Sequence, residues 1–194
     1  MTTCLACFCE SGFTGRNLQL LVDELFPSFE CETKRCSPFS PAEVGSDEQL
    51  AFLLIDPLHY DPERKKVVPS AFQELTKRDL STLRITHSSI AEVEDTVAKL
   101  TRRGASANAS LDRTIQEVCI AKVADIRAQK LNEKRCFAVY DTALEQTPSH
   151  ASIFCRTEIL NSRQARKKAR SLIHQVMSNT VVSIDELNLM IDTA

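Results

Sequence analysis

The chain has 194 residues and a formal net charge of -2, with 43% hydrophobic and 26% charged residues. These values are typical of a single globular domain with a substantial core, and they exclude a general polyanion binder. The four glycines match neither G-x-x-x-x-G-K-S/T nor G-x-G-x-x-G, which disfavours standard P-loop and dinucleotide-binding proteins.

Two further features of the sequence concern its compartment. The longest apolar run, residues 50–55, is far shorter than the roughly 20 residues that a membrane span needs. No basic region precedes an apolar stretch at the N-terminus, so we expect no signal peptide. We therefore expect a cytoplasmic protein without membrane contact, whose eight cysteines are reduced thiols or metal ligands.

The best internal boundary is a stretch rich in Ser, Pro and Gly over residues 37–48. Before it, the chain contains five of the eight cysteines and a predicted helix over 17–25, which Pro27 should end. We therefore predict a cysteine-bearing N-terminal segment, residues 1–45, that could bind a metal. An α+β domain over residues 46–194 should follow it.

The first half of the predicted α+β domain mixes helices with irregular chain. Residues 48–56 are predicted as a short buried helix, because Ser46 and Gln49 form a capping-box pattern before an apolar run. A similar pattern opens an amphipathic helix over 90–103. The remaining predicted elements are a loop over 57–72 with a short strand near Val67, a strand over 81–87, a helix C-cap at Gly104 and a polar loop over 105–110.

The second half has the composition of a sheet followed by helices. Short segments rich in β-branched and aromatic residues predict strands over 117–123, 136–141 and 151–155. Predicted helices cover 124–130, 163–178 after an N-cap at Ser162, and 184–192 after a capping box of Ser183 with Glu186. The fold class is therefore predicted as α+β, with a small, mainly antiparallel sheet, several helices and a cysteine-rich N-terminal segment.

Four of the N-terminal cysteines have a spacing that suggests a metal site. Zinc takes four tetrahedral ligands, typically from two closely spaced pairs. Here the pairs are Cys4 with Cys7 and Cys31 with Cys36. The predicted cofactor is a structural zinc or none. Two alternatives stay open: a redox dithiol at Cys4 and Cys7, or reduced cysteines that pack as small hydrophobic residues on an extended strand.

Candidate catalytic residues are few. His150 and Asp141 lie near the ends of predicted strands, and His59 lies in the predicted loop beside Asp61 and Glu63. Such groups could hold a metal or act as acid and base, which would suit a hydrolase or a nuclease. No complete catalytic constellation is visible in the sequence. A non-enzymatic role is therefore favoured, and enzyme activity stays open.

The predicted helix over 163–178 carries a row of basic side chains on one helical face. Residues 156–174 contain six Arg or Lys and one Glu, which is a local charge of +5. Such a face could bind an acidic protein, contact nucleic-acid phosphates, or simply be solvated. The predicted partner-binding residues are Arg163, Arg166, Lys167, Arg170 and His174.

The stretches "LLIDPLHYDPERKKVVPSAF", "LSTLRI" and "CFAVYDTALEQTPSHASI" resemble a layout of small uncharacterised bacterial proteins. The resemblance covers about residues 50–155 and leaves out the N-terminal cysteines and the basic helix. Thr147 stands where that layout has Asn. The resemblance implies a bacterial, single-domain accessory protein, and it implies no activity and no catalytic residue.

Three functions are compatible with these observations. We expect first a non-enzymatic binding protein, an accessory subunit of a larger bacterial assembly whose partner is a protein with an acidic surface. The alternatives are a zinc-containing module associated with nucleic acid, and a hydrolase or nuclease that uses His150 and Asp141.

Overall fold

The computed structural model describes residues 3–107 and 113–194 and has helices on both faces of a sheet. The helices are α1 (Cys4–Cys9), α2 (Gly15–Leu25), α3 (Ile90–Ala107), α4 (Val123–Arg127), α5 (Arg163–Met177) and α6 (Ile184–Asp192). The strands are β1 (Gln49–Asp56), β2 (Tyr60–Asp61), β3 (Lys66–Val67), β4 (Leu80–Arg84), β5 (Thr114–Lys122), β6 (Lys130–Leu131), β7 (Lys134–Arg135), β8 (Phe137–Asp141), β9 (His150–Cys155) and β10 (Val181–Ser183). This content confirms the predicted α+β class.

Six strands form one sheet in the order β10-β5-β1-β4-β9-β8, and every neighbouring pair in it is antiparallel. β2 with β3 and β6 with β7 form two small hairpins. The predicted helix starts after Ser162 and Ser183 are confirmed, since each hydroxyl accepts a backbone N–H three residues on. None of the described helices is long and apolar enough to cross a membrane.

The two faces of the sheet are covered by different helices. On one face, α4, α5 and the turns over 69–76 pack on alternate residues of the strands, such as Phe52 of β1 and Phe137 of β8. On the other face, α3 and α6 cover β1 and β5, while the N-terminal segment covers β8 and β9. Residues 3–45 thus share a buried apolar cluster with the sheet.

The prediction of a helix over residues 48–56 is wrong, because this stretch is the central strand β1. Both faces of β1 are buried, with Phe52 on the α5 side and Leu53 on the α3 side. A strand covered on both faces is a continuous apolar run, and periodicity cannot distinguish such a run from a buried helix.

Other local predictions also differ from the structure, since the strand predicted over 81–87 ends at Arg84 and the helix predicted over 124–130 ends at Arg127. The first cysteines lie on helix α1 and not on an extended strand, because Thr3 caps the helix by accepting the N–H of Ala6 at 3.1 Å. Helix α3 continues to Ala107, so Gly104 lies inside the helix and does not cap it. Residues 108–110 of the predicted polar loop lie outside the described residues.

A buried guanidinium joins several elements of the fold. The side chain of Arg84, at the end of β4, is fully buried and lies 2.7 Å from Glu48 Oε2. It also donates to the carbonyl oxygens of Ala42 and Glu43, at 2.6 and 3.0 Å, and Nη1 lies 3.8 Å from Asp141 Oδ1 on β8. A buried cation is tolerated only when it is paired and hydrogen-bonded. Arg84 therefore links the 42–48 connection, β4 and β8.

Replacing Arg84 by Leu should lower the free energy of unfolding by about 3–5 kcal/mol, because it leaves Glu48 and two carbonyl groups without their buried partner. Urea denaturation followed by circular dichroism measures the change. Arg64→Leu is the matched control: its ion pair with Asp61 is on the surface, with the Arg64 side chain 80% exposed, and should cost under about 1 kcal/mol. Equal losses in the two variants would contradict the role of Arg84.

Candidate functional site

Helix α5 presents a basic surface to solvent, which we define as Arg163, Arg166, Lys167, Lys168 and Arg170. The opposite side of the helix is fixed by Ala169, Ile173 and Met177, which are buried in the cluster on the sheet. The basic side chains are exposed, except that Arg170 is half-buried. Packing of the apolar face therefore determines which way the cations point.

The cations of this surface differ in their pairing from the arginines that join segments of the protein body. Arg127 and Arg135 both contact Glu32, and Arg156 contacts Asp23. Within the described residues, no ion pair within 4.0 Å involves a side chain of the basic surface of α5. Its charge is thus directed to solvent.

His174 does not lie with the basic surface of α5. Its ring is half-buried, Nε2 lies 3.0 Å from the carbonyl oxygen of Val67, and the ring packs edge-on against Phe72. The structure therefore places four of the five predicted partner-binding residues on one surface and turns the fifth towards the core. Lys168 is a basic residue of this surface that the predicted set omitted.

A cleft separates β1 from β4. These strands pair only through Leu50 with Arg84 and Ala51 with Leu83, although β1 continues along β5 and β4 continues along β9. The gap between them is a cavity of about 580 Å³, a size typical of ligand sites. Its lining residues include Phe52, Leu53, Leu80, Asp79, Lys99 and His150.

The hydrogen bonds of β4 with β9 show which of its backbone groups face the cleft. The backbone N–H of Arg84 donates to the carbonyl oxygen of Ser149, on the β9 side. Alternate residues of a strand direct their backbone N–H and C=O groups to opposite edges. Since the backbone of Arg84 faces β9, the backbone N–H and C=O of Ser81, three residues earlier, face β1 across the cleft. On β1, the backbone N–H of Ile55 donates to Nδ1 of His59 at 3.3 Å. His59 therefore has a structural contact at the strand edge.

This register makes a prediction about proline substitutions in β4. Ser81→Pro removes an N–H that faces the cleft, so we expect it to change the free energy of unfolding by under about 1 kcal/mol. Thr82→Pro removes an N–H that faces Ala151 of β9 and should cost about 3 kcal/mol. Urea denaturation measures both.

Thr82→Val is the control for the Thr82 hydroxyl, which donates to the carbonyl oxygen of Ala151 at 2.8 Å. It keeps the backbone N–H, so it should lie between the two proline variants. The register is wrong if Ser81→Pro unfolds the protein as readily as Thr82→Pro does.

His150 lies in the wall of the cleft and is connected to Asp79. Its Nδ1 is 2.9 Å from the Thr142 hydroxyl and 3.0 Å from the Thr142 carbonyl oxygen. That hydroxyl donates to Ser152 at 2.9 Å, and Ser152 donates to Asp79 Oδ2 at 2.7 Å. Burial lowers the pKa of His150 despite the nearby carboxylates. Burial therefore favours the neutral ring, and because Nδ1 contacts Thr142, Nε2 is the nitrogen left for a ligand.

Asp141, the other predicted catalytic residue, belongs to a different network. Its carboxylate is buried, Oδ2 accepts the N–H of Cys36 at 3.4 Å, and Oδ1 faces Arg84. Burial raises the pKa of Asp141. Within the described residues it makes no hydrogen bond with His150, so the two do not form the acid–base pair that their chain positions suggested. His59 lies apart from both, against Phe52.

The four cysteines predicted as metal ligands lie together in one buried cluster against β8 and β9. Cys4 and Cys31 form a disulfide, which corrects the expectation that all eight cysteines are thiols or metal ligands. Cys7 and Cys36 are buried free thiols in the same cluster. In this disulfide form, no group of three or more His, Cys, Asp or Glu side chains in the described residues is placed to hold a metal.

The N-terminal segment also exposes apolar side chains. Among the described residues, five of the eight large hydrophobic side chains that are exposed belong to residues 3–45. They are Leu5, Phe13, Leu20, Leu25 and Phe39. This segment therefore exposes more large apolar side chains than the rest of the described chain.

Comparison of the chain with protein-family models, with curated proteins and with solved structures finds no match. The resemblance to small bacterial proteins therefore stays a prediction. Any function has to be argued from the residues themselves.

Sequence reasoning missed several residues of these sites. Asp79, Thr142 and Ser152 are ordinary polar residues in the sequence, and only the pairing of β4 with β9 and β9 with β8 brings them to His150. One signal was available for Arg84: an arginine inside the strand-like segment "LSTLRI" needs a buried acidic partner if both faces of the strand are covered.

Proposed function

We propose that this protein is a non-enzymatic binding protein, an accessory subunit of a larger assembly, and that the basic surface of α5 contacts an acidic protein. The observation that carries the proposal is the pairing pattern of the cations. Arg84, Arg127, Arg135 and Arg156 each contact a carboxylate, whereas the basic surface of α5 has no carboxylate partner within 4.0 Å among the described residues.

An acidic surface on a partner would supply the missing carboxylates. Arginine can bind a carboxylate through two parallel hydrogen bonds, which fixes orientation as well as charge. Arg163, Arg166 and Arg170 are separated by three and four residues, so they lie along one side of the helix. Complementary charge would also speed the encounter of the two proteins. The exposed apolar residues of the N-terminal segment offer a second area for a subunit contact.

Protein is favoured over nucleic acid because of the size and composition of the surface. Arg163 and Arg170 are seven residues apart, or about 10 Å along a helix, which leaves room for few phosphates. No aromatic residue lies on α5, so the surface lacks a platform for stacking bases. Nucleic-acid association with a structural zinc remains the alternative that the experiment below separates.

Charge reversal on α5 tests the proposal. In Arg166→Glu/Arg170→Glu, association with the partner should weaken at least tenfold, because two contacts to carboxylates become repulsive. The measurement is affinity capture from nuclease-treated cell extract, with a photo-crosslinking amino acid at Gln164, followed by titration of the purified crosslinked partner. Lys34→Glu/Arg102→Glu is the matched control, since it changes the net charge equally at two other exposed residues.

The outcomes separate the classes of partner. A crosslinked acidic protein whose binding fails in the α5 variant but persists in the control supports the proposal. Binding that disappears on nuclease treatment identifies nucleic acid instead. If both variants retain every interaction of the wild type, the basic surface of α5 is only a solvated face. Unchanged urea denaturation would show that the α5 variant is folded.

The second candidate function is a hydrolase, and one observation favours it. His150 lines a cavity of about 580 Å³ and is linked through two hydroxyls to Asp79. A neutral imidazole in such a place could act as a general base.

His150→Ala and Thr142→Val test this candidate on a panel of ester and phosphodiester substrates. A hydrolase should lose about 10²-fold or more of its turnover in His150→Ala. It should lose less in Thr142→Val, which removes the hydroxyl contact of the ring and keeps the carbonyl contact. If the wild type and His150→Ala turn over a substrate at the same rate, His150 has no catalytic role.

A further inference from the structure

The N-terminal cysteine cluster contains more sulfur than its disulfide uses. Cys4 and Cys31 are bonded, and Cys7 and Cys36 lie in the same apolar cluster as free thiols. Cys7, Cys31 and Cys36 have at most 1% of their surface exposed, and Cys4 has 8%. Four cysteines from two separate stretches of the chain therefore converge at one buried place beside Tyr140 and Phe154 of the sheet.

The local structure aims these side chains at one another. Cys4 and Cys7 are three residues apart on α1, so they lie on one side of the helix. Cys31 lies in a 3-10 turn, and Cys36 folds back over it, with the Cys36 thiol donating to the Cys31 carbonyl oxygen at 3.3 Å. Burial, and after it the neighbouring Asp141, Cys9 and Cys7, raise the pKa of the Cys36 thiol. Cys7 and Cys36 are thus free thiols in the same buried cluster as the disulfide.

Each sequence pair contributes one cysteine to the disulfide and one free thiol. Zinc binds four thiolates in a tetrahedron, with Zn–S distances of about 2.3 Å. One pair of cysteines lies at the start of a helix and the other on a tight turn, so together they can supply the four ligands. This requires that the bond between Cys4 and Cys31 is broken. Reduction of the disulfide would break that bond.

We propose that Cys4, Cys7, Cys31 and Cys36 form a redox-switched zinc site: the reduced protein binds one Zn²⁺ through four thiolates, and oxidation to the Cys4–Cys31 disulfide releases it. This inference is independent of the function of α5. It reconciles two sequence hypotheses, the zinc site and the redox dithiol, although the redox pair is Cys4 with Cys31 and not Cys4 with Cys7.

A cellular thiol reductant gives two electrons and two protons to the disulfide, which yields two thiols and the oxidised reductant. The four thiols then lose four protons as Zn²⁺ binds. In reverse, hydrogen peroxide takes one electron from each of the Cys4 and Cys31 thiolates and two protons from solvent, and becomes two water molecules. Cys7 and Cys36 take up protons when Zn²⁺ leaves.

The test uses the full chain, reduced with a phosphine and loaded with ZnSO₄, followed by removal of unbound metal and elemental analysis. Wild type and Cys9→Ser should each hold one zinc per chain, because Cys9→Ser keeps all four proposed ligands and removes an exposed thiol that donates to the Cys36 carbonyl oxygen at 3.3 Å. Cys7→Ser and Cys36→Ser should hold well under one. Cobalt should give the strong visible absorption of a tetrahedral thiolate site in the first two proteins only.

The oxidised proteins control for folding. Cys7→Ser and Cys36→Ser retain both cysteines of the disulfide, so their oxidised forms should match wild type in circular dichroism. Added peroxide should release zinc from wild type in step with the appearance of the Cys4–Cys31 crosslink in peptide maps. The proposal is overturned if reduced wild type holds no stoichiometric zinc, if Cys9→Ser loses it equally, or if the crosslink forms while zinc stays bound.

Discussion

The fold depends on the neutralisation of one buried cation. Arg84 has no contact with solvent, and its side-chain partners come from the 42–48 connection, which leads into β1, and from the end of β8. Because removal of one partner would leave a buried charge uncompensated, these elements have to meet at Arg84. β1 and β4 are therefore held together at this end, where Leu50 pairs with Arg84, and they separate towards the other. The cleft beside His150 is a consequence of this one-sided attachment.

A buried carboxylate has the corresponding role for the N-terminal segment. Glu32 accepts hydrogen bonds from Arg127, Arg135 and the N–H of Val139, at 2.6 to 2.9 Å. These contacts attach the turn that carries Cys31 to β8. The same attachment brings Cys31 and Cys36 beside α1, so the cysteine cluster depends on an ion pair as well as on apolar packing. Arg135 and Arg156 also enclose the ring of Phe29.

The two charge systems of the protein have opposite arrangements. Around Glu32 and Arg84, cations and carboxylates face each other inside the molecule and determine how its segments join. On α5, the cations face solvent, and the apolar side of the helix packs on the sheet. This contrast is the basis of the proposal that α5 contacts a partner.

Sequence reasoning succeeded where the signal is local. The spacing of apolar and basic residues in α5, and the Ser183–Glu186 capping box of α6, depend on residues within one or two turns of a helix. It failed where the signal depends on distant strands. β1 was mistaken for a helix because neighbours on both faces bury it. The Cys4–Cys31 bond and the Asp79–His150 connection join residues 27 and 71 positions apart, and no local pattern encodes those contacts.

The most direct measurement is the dissociation constant of the complex with the isolated partner as a function of salt concentration, for the wild type and for Arg166→Glu/Arg170→Glu. If α5 binds an acidic protein through its cations, the affinity of the wild type should fall steeply as salt rises, because exposed charge pairs are screened. The variant should bind weakly and show a shallower dependence on salt. A wild-type affinity that does not change with salt, or a variant with the same salt dependence, would contradict an interface built on the basic surface of α5.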